Sequence, residues 1–320
     1  MTIKIAGTGS CPGDQIVSND QLAQIMETSD EWIRTRTGIR NRRLATQMGT
    51  SSLAAEAAKR ACENANIAPE ELDLILLGTS TPDDCFPNGA CQVQAAIGAS
   101  HAAAFDISAA CTGFIFALTT AYSFLASGLY KTVLVIGADT MSKTVDWSDR
   151  GTCVLFGDGA GAAVVKAEEG GLFHSCLGSD GSQGSVLSCT ARTGGNFLTG
   201  AKPELGMLYM DGQAVFKFAI KKVPESIKQL LDEADMKPQD IRYYVLHQAN
   251  ERIIESVAKR LKEPMEKFPM NIQNMGNTSA ASVPILLDEM NRAGKLNPGD
   301  KIVLSGFGGG LTWGAILLEW

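Results

Sequence analysis

Short apolar runs alternate along the chain with longer segments of helical period, and this alternation most limits the folds that the chain can adopt. The short runs at 74–77 and 132–136 are apolar except for Thr132, whereas residues 53–65 and 112–127 repeat apolar positions at helical spacing. Strands that alternate with helices predict an α/β protein. Because the strands are apolar throughout rather than at every second position, we expect central strands covered by helices on both faces.

A weak internal repeat indicates two similar halves. A shift of about 169 residues places the strand at 74–77 on 243–246, the helix around Ala57 on that around Ser226, the strand at 133–135 on 302–304, and Cys111 close to Asn277. One long period is typical of a duplicated architecture rather than of a solenoid. We therefore predict an N-terminal half at residues 1–168, which carries Cys111, and a C-terminal half at residues 169–320, which carries His247 and Asn277.

The composition limits size, location and partners. The chain has 320 residues, 45% of them hydrophobic, enough for one large core or two ordinary domains. It has no stretch of about 20 apolar residues, and its start does not resemble a signal peptide, so we expect a cytoplasmic protein without membrane insertion. A net charge of −7 disfavours nonspecific binding to nucleic acid or anionic membranes, but it is compatible with a local basic patch for an acidic partner.

The eight cysteines form no CxxC pair and no Cys/His metal-ligand spacing. This pattern predicts neither a metal site nor a disulfide framework. Most of the cysteines are expected to be small buried hydrophobic residues.

Cys111 has a different setting. In residues 105–114 a short strand passes through small residues into a helix that begins near Cys111, so the thiol is expected at a helix N-terminus. There the helix dipole and the unpaired N–H groups favour the thiolate, which is the nucleophilic form. The alternative is an inert buried cysteine, the commoner case for a cysteine taken at random. Because only Cys111 has this setting, we predict that it is a nucleophile.

His247 is the candidate for hydrogen bonding or proton transfer among the three histidines. It directly follows the apolar run at 243–246, so we expect it at the carboxyl end of a central strand, where open α/β sheets place their sites. His101 and His174 lack this setting and are expected to be structural.

Two further segments could complete a site. Residues 276–282 place Asn277 just before a helix, although an asparagine there could serve only as an N-cap. Residues 306–310 contain four glycines at the end of a predicted strand, and their N–H groups could face an oxyanion. The alternative is a tight turn that needs glycine for its backbone angles.

Two other glycine clusters suggest a nucleotide site but have the wrong context. The cluster at 7–9 follows a strand but has its third glycine misplaced and no helix after it. The cluster at 157–161 precedes a strand at 162–165, whereas a dinucleotide motif follows one. We therefore expect no Rossmann cofactor site.

Four segments together resemble the β-ketoacyl-acyl carrier protein synthases of type III, within the thiolase superfamily, over essentially the whole chain. They are 109–113 (Ala-Ala-Cys-Thr-Gly), 247–250 (His-Gln-Ala-Asn), 276–282 (Gly-Asn-Thr-Ser-Ala-Ala-Ser) and 308–314 (Gly-Gly-Gly-Leu-Thr-Trp-Gly). The resemblance implies a five-layered α-β-α-β-α fold made of two duplicated halves, which agrees with the internal repeat. It also implies a homodimer.

The same resemblance implies initiation of fatty acid synthesis: decarboxylative condensation of an acyl-CoA primer with malonyl-acyl carrier protein (malonyl-ACP), giving 3-oxoacyl-ACP, CoA and CO2. It implies Cys111 as the nucleophile, with His247 and Asn277 holding the thioester oxygen of malonyl-ACP. Elongating enzymes have a second histidine where Asn277 stands, which points to an acyl-CoA primer. The N–H groups of Cys111 and of either Gly308 or Gly309 are implied as the oxyanion hole. Because acyl-CoA is a substrate, no cofactor is implied.

Residues for substrate binding are implied in the same way. At the CoA entrance these are Trp32 and Arg150 beside adenine, Arg36 near the phosphates and Asn250 on the pantetheine arm. In the primer pocket they are Leu155, Phe156, Phe307 and Phe86, the last reaching across the dimer interface. ACP is acidic, so docking needs positive charge, and the candidate docking residues are Lys217, Gln248, Arg252, Lys259 and Arg260. The alternative for the charged residues is a solvated surface.

Other functions of the same fold stay open on the sequence alone. A polyketide-type condensing enzyme would keep the three central residues. A CoA-dependent acyltransferase without decarboxylation would not need His247 and Asn277, and their presence argues against it. A noncatalytic scaffold predicts an unreactive Cys111, and nothing in the sequence supports it. The length and branching of the primer do not follow from the sequence.

Overall fold

The computed structural model describes residues 2–190, 194–202 and 204–320. Within these ranges the strands are β1 (Thr2–Pro12), β2 (Gln15–Ser18), β3 (Asn41–Leu44), β4 (Leu74–Gly78), β5 (Ala103–Ile107), β6 (Thr132–Thr140), β7 (Asp158–Glu168), β8 (Phe173–Ser179), β9 (Leu187–Cys189), β10 (Leu208–Met210), β11 (Tyr243–Leu246), β12 (Lys301–Gly308) and β13 (Thr312–Glu319). The strands predicted at 74–77, 132–136 and 243–246 are confirmed.

The α-helices in the described ranges are α1 (Asn19–Leu22), α2 (Asp30–Thr37), α3 (Thr50–Ala65), α4 (Gly89–Ile97), α5 (Gly113–Ala126), α6 (Gly212–Glu233), α7 (Glu251–Leu261), α8 (Ile272–Met275) and α9 (Ser282–Arg292). Short 3-10 turns at Ala110–Thr112 and Ser279–Ala281 lead directly into α5 and α9. The helices predicted at 53–65 and 112–127 are therefore confirmed, with the second beginning as a 3-10 turn.

The two large sheets repeat one strand order, which confirms the predicted duplication. The first sheet has the order β1-β7-β6-β4-β5 and the second the order β8-β13-β12-β11. In both sheets the first two pairings are antiparallel and the third is parallel. The division of the chain at residues 168 and 169 stays a prediction.

Helices cover both sheets and fill the space between them, giving the predicted five layers. One apolar cluster joins α3 and α4 to the outer face of the first sheet, and another joins α6 and α7 to the outer face of the second. The central layer consists of α5 and α9, which pack between the sheets. Leu74 and Leu76 face this central layer, whereas Ile75 and Leu77 face α3 and α4. Both faces of β4 are therefore buried, which explains why its sequence is apolar throughout.

The two turns before α5 and α9 are equivalent positions of the repeat. Ala110 and Ser279 lie 169 residues apart, and both have a positive φ, 46° and 52°. The partner of Cys111 is therefore Ala280, three residues beyond Asn277, which the sequence placed close to it. At these two turns the backbone geometry is repeated, whereas the side chains differ.

The glycine clusters at 7–9 and 157–161 serve close packing. Gly7 and Gly9 lie inside β1 against the backbone of α3, and Gly161 lies inside β7 against the backbone of α9. The expectation that the first cluster follows a strand and the second precedes one is therefore wrong, because β1 and β7 run through them. A side chain at these positions would push the helices off the sheet. Among the described helices, none is both long and apolar enough to cross a membrane.

Replacement of Gly137 by alanine tests the close approach of the two halves. A Cβ at Gly137 would collide with the carbonyl oxygen of Ala280. We expect Gly137→Ala to lower the free energy of unfolding by about 1 to 3 kcal/mol, measured by urea denaturation at fixed protein concentration. Gly181→Ala is the control, because a Cβ there meets nothing within 4 Å. Equal midpoints for the two variants would contradict the proposed packing constraint.

Candidate active site

A cavity of about 600 Å³ lies where the two turns meet, and residues from both repeats line it. The lining includes Cys111 from the turn before α5, His247 from the end of β11, and Asn277 from the segment before α9. These three predicted residues are far apart in sequence. The structure brings them to one cavity.

Hydrogen bonds fix the turn that carries Cys111. The hydroxyl of Thr112 donates to the carbonyl oxygen of Ala109 at 2.6 Å and lies 2.8 Å from the hydroxyl of Thr312. The Thr312 hydroxyl also lies 3.1 Å from the carbonyl oxygen of Gly309. The cysteine turn and the glycine segment at the end of β12 are therefore held to each other.

Gly308 is the glycine beside Cys111. A Cβ built at Gly308 would lie 2.7 Å from the backbone nitrogen of Cys111 and 2.9 Å from its Cβ. The nearest neighbours of a Cβ at Gly309 are instead Leu187 and Ala110, at 3.3 and 3.4 Å. Only glycine at position 308 leaves space in front of the Cys111 N–H group.

The Cys111 thiol is neutral at rest. Burial raises its pKa from 9.0 to about 12; the Ser279 hydroxyl, 3.4 Å from Sγ, lowers it, and the Asp139 carboxylate raises it. A helix N-terminus contributes about 1 kcal/mol, which is less than one pKa unit. Burial therefore outweighs the helix dipole in setting the pKa of this thiol.

His247 is a buried, neutral imidazole whose Nδ1 is hydrogen-bonded to Ser282. It is 3% exposed, and burial lowers its pKa to about 3. Its Nδ1 lies 2.6 Å from the Ser282 hydroxyl, which also accepts the N–H of Gln248 at 3.4 Å. When this hydroxyl donates its own proton to Nδ1, the ring proton resides on Nε2, which becomes a donor.

The amide of Asn277 is oriented by the backbone. Its Oδ1 accepts the N–H of Ser279 at 2.9 Å, so the amide nitrogen is left to donate. Its main chain is fixed by two further bonds, from Asn277 N–H to the Leu155 carbonyl at 2.8 Å and from Gly157 N–H to the Asn277 carbonyl at 3.0 Å. Asn277 therefore offers a positioned donor rather than an N-cap.

The residues predicted for the CoA entrance lie together on one face. The guanidinium carbons of Arg36 and Arg150 lie 4.6 and 5.0 Å from the centre of the Trp32 ring. Asn250 caps α7 and donates from its side chain to the Arg36 carbonyl at 2.9 Å, which ties α7 to α2. Asn250 also lines the cavity. The residues predicted for the CoA entrance therefore adjoin the cavity at Asn250.

Three of the four residues predicted for the primer pocket line the cavity, namely Leu155, Phe156 and Phe307. Phe307 also packs edge-on against His247, with ring centres 5.3 Å apart. Phe86 does not line the cavity of its own chain and is 87% exposed. Its role in a primer pocket stays a prediction that depends on a second subunit.

The candidate docking residues divide into two groups. Lys217, Arg252, Lys259 and Arg260 are exposed on α6 and α7. Gln248 is 1% exposed, and its amide bonds the Leu246 carbonyl and the Asn271 N–H at 2.8 and 3.2 Å. The docking prediction for Gln248 is therefore wrong, because its side chain is used inside the protein.

Some residues of the site were missed in the sequence. Ser282 bonds Nδ1 of His247, Thr312 holds the cysteine turn, and Ser279 contacts the nucleophile. Asp139 is fully buried and accepts the N–H of Ala280, the residue after Ser279. Ser279 had one usable signal, because an exact repeat of 169 residues pairs it with Ala110, next to Cys111.

This fold and this site geometry define a condensing enzyme of the thiolase type. A family model described as 3-oxoacyl-[acyl-carrier-protein] synthase III matches residues 105–181, and its C-terminal counterpart matches residues 231–320. The β-ketoacyl-[acyl-carrier-protein] synthase III of Clostridium acetobutylicum is 50% identical, over 100% of this chain and 99% of its own. The chain therefore belongs to the β-ketoacyl-[acyl-carrier-protein] synthase III family and is an acyl-transferring condensing enzyme that initiates fatty acid synthesis.

Solved structures give the same result. The 3-oxoacyl-[acyl-carrier-protein] synthase III of Aquifex aeolicus superposes with a TM-score of 0.93 at 46% identity, over 99% of this chain and 100% of its own. A priming β-ketosynthase from the R1128 polyketide pathway superposes with a TM-score of 0.91 at 34% identity, over 99% and 96%. The fold is therefore shared by a 3-oxoacyl-[acyl-carrier-protein] synthase III and by a priming β-ketosynthase of a polyketide pathway.

Nitrogen NMR of labelled histidine tests the state of His247, with the signal assigned by its loss in His247→Gln. Because the pKa is lowered to about 3, we expect a neutral ring with its proton on Nε2 and no titration between pH 8 and 5. Ser282→Ala removes the hydroxyl donor to Nδ1 and should give a mixture of tautomers. A proton on Nδ1, or titration near pH 6.5, in the wild-type protein would contradict the assignment.

Proposed function

We propose that the enzyme joins an acyl-CoA primer to malonyl-ACP through a thioester on Cys111, giving 3-oxoacyl-ACP, CoA and CO2. The observation that carries this proposal is the convergence of a thiol, a neutral imidazole and an oriented amide on one cavity. The first group can hold an acyl chain covalently. The other two can stabilise an anion beside it.

In the first half-reaction, Cys111 attacks the thioester carbonyl of acyl-CoA and CoA leaves as the thiol. The negative oxygen that forms at the carbonyl carbon needs two donors. We assign one to the N–H group of Cys111 and the other to the N–H group of Gly308 or Gly309, because both glycines line the cavity.

In the second half-reaction, malonyl-ACP loses CO2 and the resulting enolate carbon attacks the Cys111 thioester. The enolate oxygen is proposed to accept hydrogen bonds from Nε2 of His247 and the amide nitrogen of Asn277. Each such donor contributes about 3 kcal/mol to the transition state. A neutral His247 is suited to this role, because it donates without requiring protonation of a buried ring.

The binding residues follow the same proposal. Trp32 and Arg150 are assigned to the adenine of CoA, Arg36 to its phosphates and Asn250 to the pantetheine arm. A ring flanked by two guanidinium groups supports this assignment, since it offers both a stacking surface and charge. The primer is assigned to the space beside Leu155, Phe156 and Phe307.

A homodimer is proposed in which Phe86 completes the primer pocket of the partner subunit. The exposure of this large aromatic side chain is compatible with the proposal, because it leaves Phe86 available to a partner subunit. All eight cysteines are free, which supports a reducing compartment, the cytoplasm. The proposed chemistry uses only thioesters and protein side chains, so it requires no cofactor.

A polyketide-priming function is the second candidate, and the likeness to the R1128 enzyme favours its consideration. Both functions use an acyl-CoA primer in this scheme and differ in the carrier protein that receives the product. Competition between a fatty acid carrier and a polyketide carrier, both malonylated, distinguishes them. Preference for the polyketide carrier would replace the first proposal.

Half-reactions separate the proposed roles of the three central residues. With acyl-CoAs from acetyl to branched five-carbon chains, wild type should gain one acyl group on the Cys111 peptide, read by mass spectrometry. Cys111→Ala should gain none, whereas Cys91→Ala, a matched change outside the cavity, should behave as wild type. His247→Ala and Asn277→Ala should acylate but release CO2 from malonyl-ACP about 10²-fold more slowly. Condensation by Cys111→Ala would refute the nucleophile.

Charge reversal tests the proposed docking surface. Arg252 is exposed on α7, and its guanidinium lies 5.7 Å from the ring of Phe216, which lines the cavity. Arg252→Glu should raise KM for malonyl-ACP by about tenfold and leave KM for acyl-CoA within twofold, since ACP is the acidic partner. Lys59→Glu, the same charge change on α3 across the molecule, is the control. Equal effects on both substrates would contradict docking at Arg252.

A further inference from the structure

The Ser279 hydroxyl donates a hydrogen bond to Sγ of Cys111 at 3.4 Å. Among the residues that the structure describes, this is the one hydrogen bond from another side chain to the nucleophile. Ser279 is 2% exposed and lines the cavity, so the bond lies inside the site. A hydroxyl that donates to a sulfur binds it more strongly once the sulfur becomes negative.

The backbone fixes the position of the Ser279 side chain. Ser279 begins the turn before α9, and its N–H donates to Oδ1 of Asn277 at 2.9 Å. The next N–H, that of Ala280, donates to the Asp139 carboxylate at 3.1 Å. The side chain is therefore held beside Cys111 before any charge forms, which is the condition for effective electrostatic stabilisation.

The equivalent turn before α5 forms without this hydroxyl. Ala110, 169 residues before Ser279, has a φ of 46° where Ser279 has 52°, and its side chain is a methyl group. Both values lie in the left-handed region that favours glycine. Because alanine adopts this conformation in one copy of the turn, the backbone of the other copy does not require the Ser279 oxygen. The hydroxyl is a polar addition that contacts the nucleophile.

A negative sulfur at Cys111 needs such a donor. The pKa of the thiol is raised to about 12 by burial and by the Asp139 carboxylate, against the lowering effect of the Ser279 hydroxyl. In the proposed reaction the sulfur carries negative charge twice, when it attacks acyl-CoA and when it leaves the condensed product. The N–H of Cys111 is assigned to the substrate oxygen in both events, so the sulfur itself depends on another group.

We propose that Ser279 is a further catalytic residue, whose hydroxyl stabilises the Cys111 sulfur whenever it is negative. In acylation, the thiol gives its proton to solvent, the sulfur electron pair forms the bond to the carbonyl carbon, and CoA takes up a proton as it departs. In condensation, the enolate carbon bonds to the acyl carbon, the C–S bond to Cys111 breaks, and its electron pair stays on the sulfur. Ser279 keeps its own proton in both steps. The inference rests on the proposed thioester on Cys111.

Alkylation of Cys111 by iodoacetamide, read on its peptide by mass spectrometry, tests the donor without any acyl substrate. Because the thiolate is the reacting form, Ser279→Ala should react about tenfold more slowly than wild type at each pH from 7 to 9. Both rates should rise in parallel with pH, since the thiol pKa of about 12 lies above this range. The exposed Cys85 is the internal control. An equal or faster rate at Cys111 in Ser279→Ala would overturn the proposal.

Half-reactions separate a donor to sulfur from a structural role. Acylation of Ser279→Ala by acetyl-CoA should also fall about tenfold. Release of CO2 from malonyl-ACP should stay within threefold of wild type, because the variant keeps the N–H that orients Asn277. Ser51→Ala removes another buried hydroxyl, one that lacks a hydrogen-bond partner among the described residues, and should match wild type throughout.

Equal slowing of both half-reactions in Ser279→Ala would contradict the proposal, because it would show that the serine only maintains the shape of the site. A wild-type enzyme that is alkylated at Cys111 but never acylated there would refute the proposed function itself. Normal acylation by wild type, with unchanged kinetics in Ser279→Ala, would refute only the role of Ser279.

Discussion

The close approach of two backbone turns at the centre of the molecule is the constraint on which the rest of the site depends. Gly137 of the first sheet packs against the carbonyl of Ala280, and a Cβ at Gly113 would lie 3.2 Å from the Ala280 side chain. Small residues let α5 and α9 begin side by side between the sheets. Each half alone would present only one turn, so the cavity with its three converging groups exists because the halves meet at this distance.

Burial keeps the titratable side chains of the site uncharged. The Cys111 thiol and the His247 imidazole are both uncharged at neutral pH, since desolvation penalises their charged forms. The same desolvation strengthens every hydrogen bond offered to a negative oxygen formed later in the cavity. The site therefore binds a negative oxygen through uncharged donors, the His247 ring and the Asn277 amide, rather than through charged side chains. Ser282 orients the ring, and the backbone orients the amide.

Helix-covered sheets, Cys111 and His247 could be predicted from local features of the sequence, whereas the five layers and the role of Asn277 were implied by the family resemblance. A strand buried on two faces is apolar throughout, and a residue that ends such a strand lies at the sheet edge. Three features left no such mark. The ionisation of Cys111 depends on how deeply the folded chain buries it, Gln248 is turned inward by Leu246 and Asn271, and Ser279 meets the thiol only through a contact across 168 positions.

The strand pairings make Asp139 and Gly308 equivalent, since Val133 and Ile302 hold matching places beside β4 and β11. In one copy of the turn, the carboxylate of Asp139 accepts the Ala280 N–H. In the other, glycine leaves the matching Cys111 N–H uncovered. One chain therefore contains the same anion-binding position twice. The Asp139 carboxylate occupies it at the Ala280 N–H, and glycine leaves it open at the Cys111 N–H. The Asp139 carboxylate thus shows how an oxygen anion formed during the reaction would be bound at Cys111.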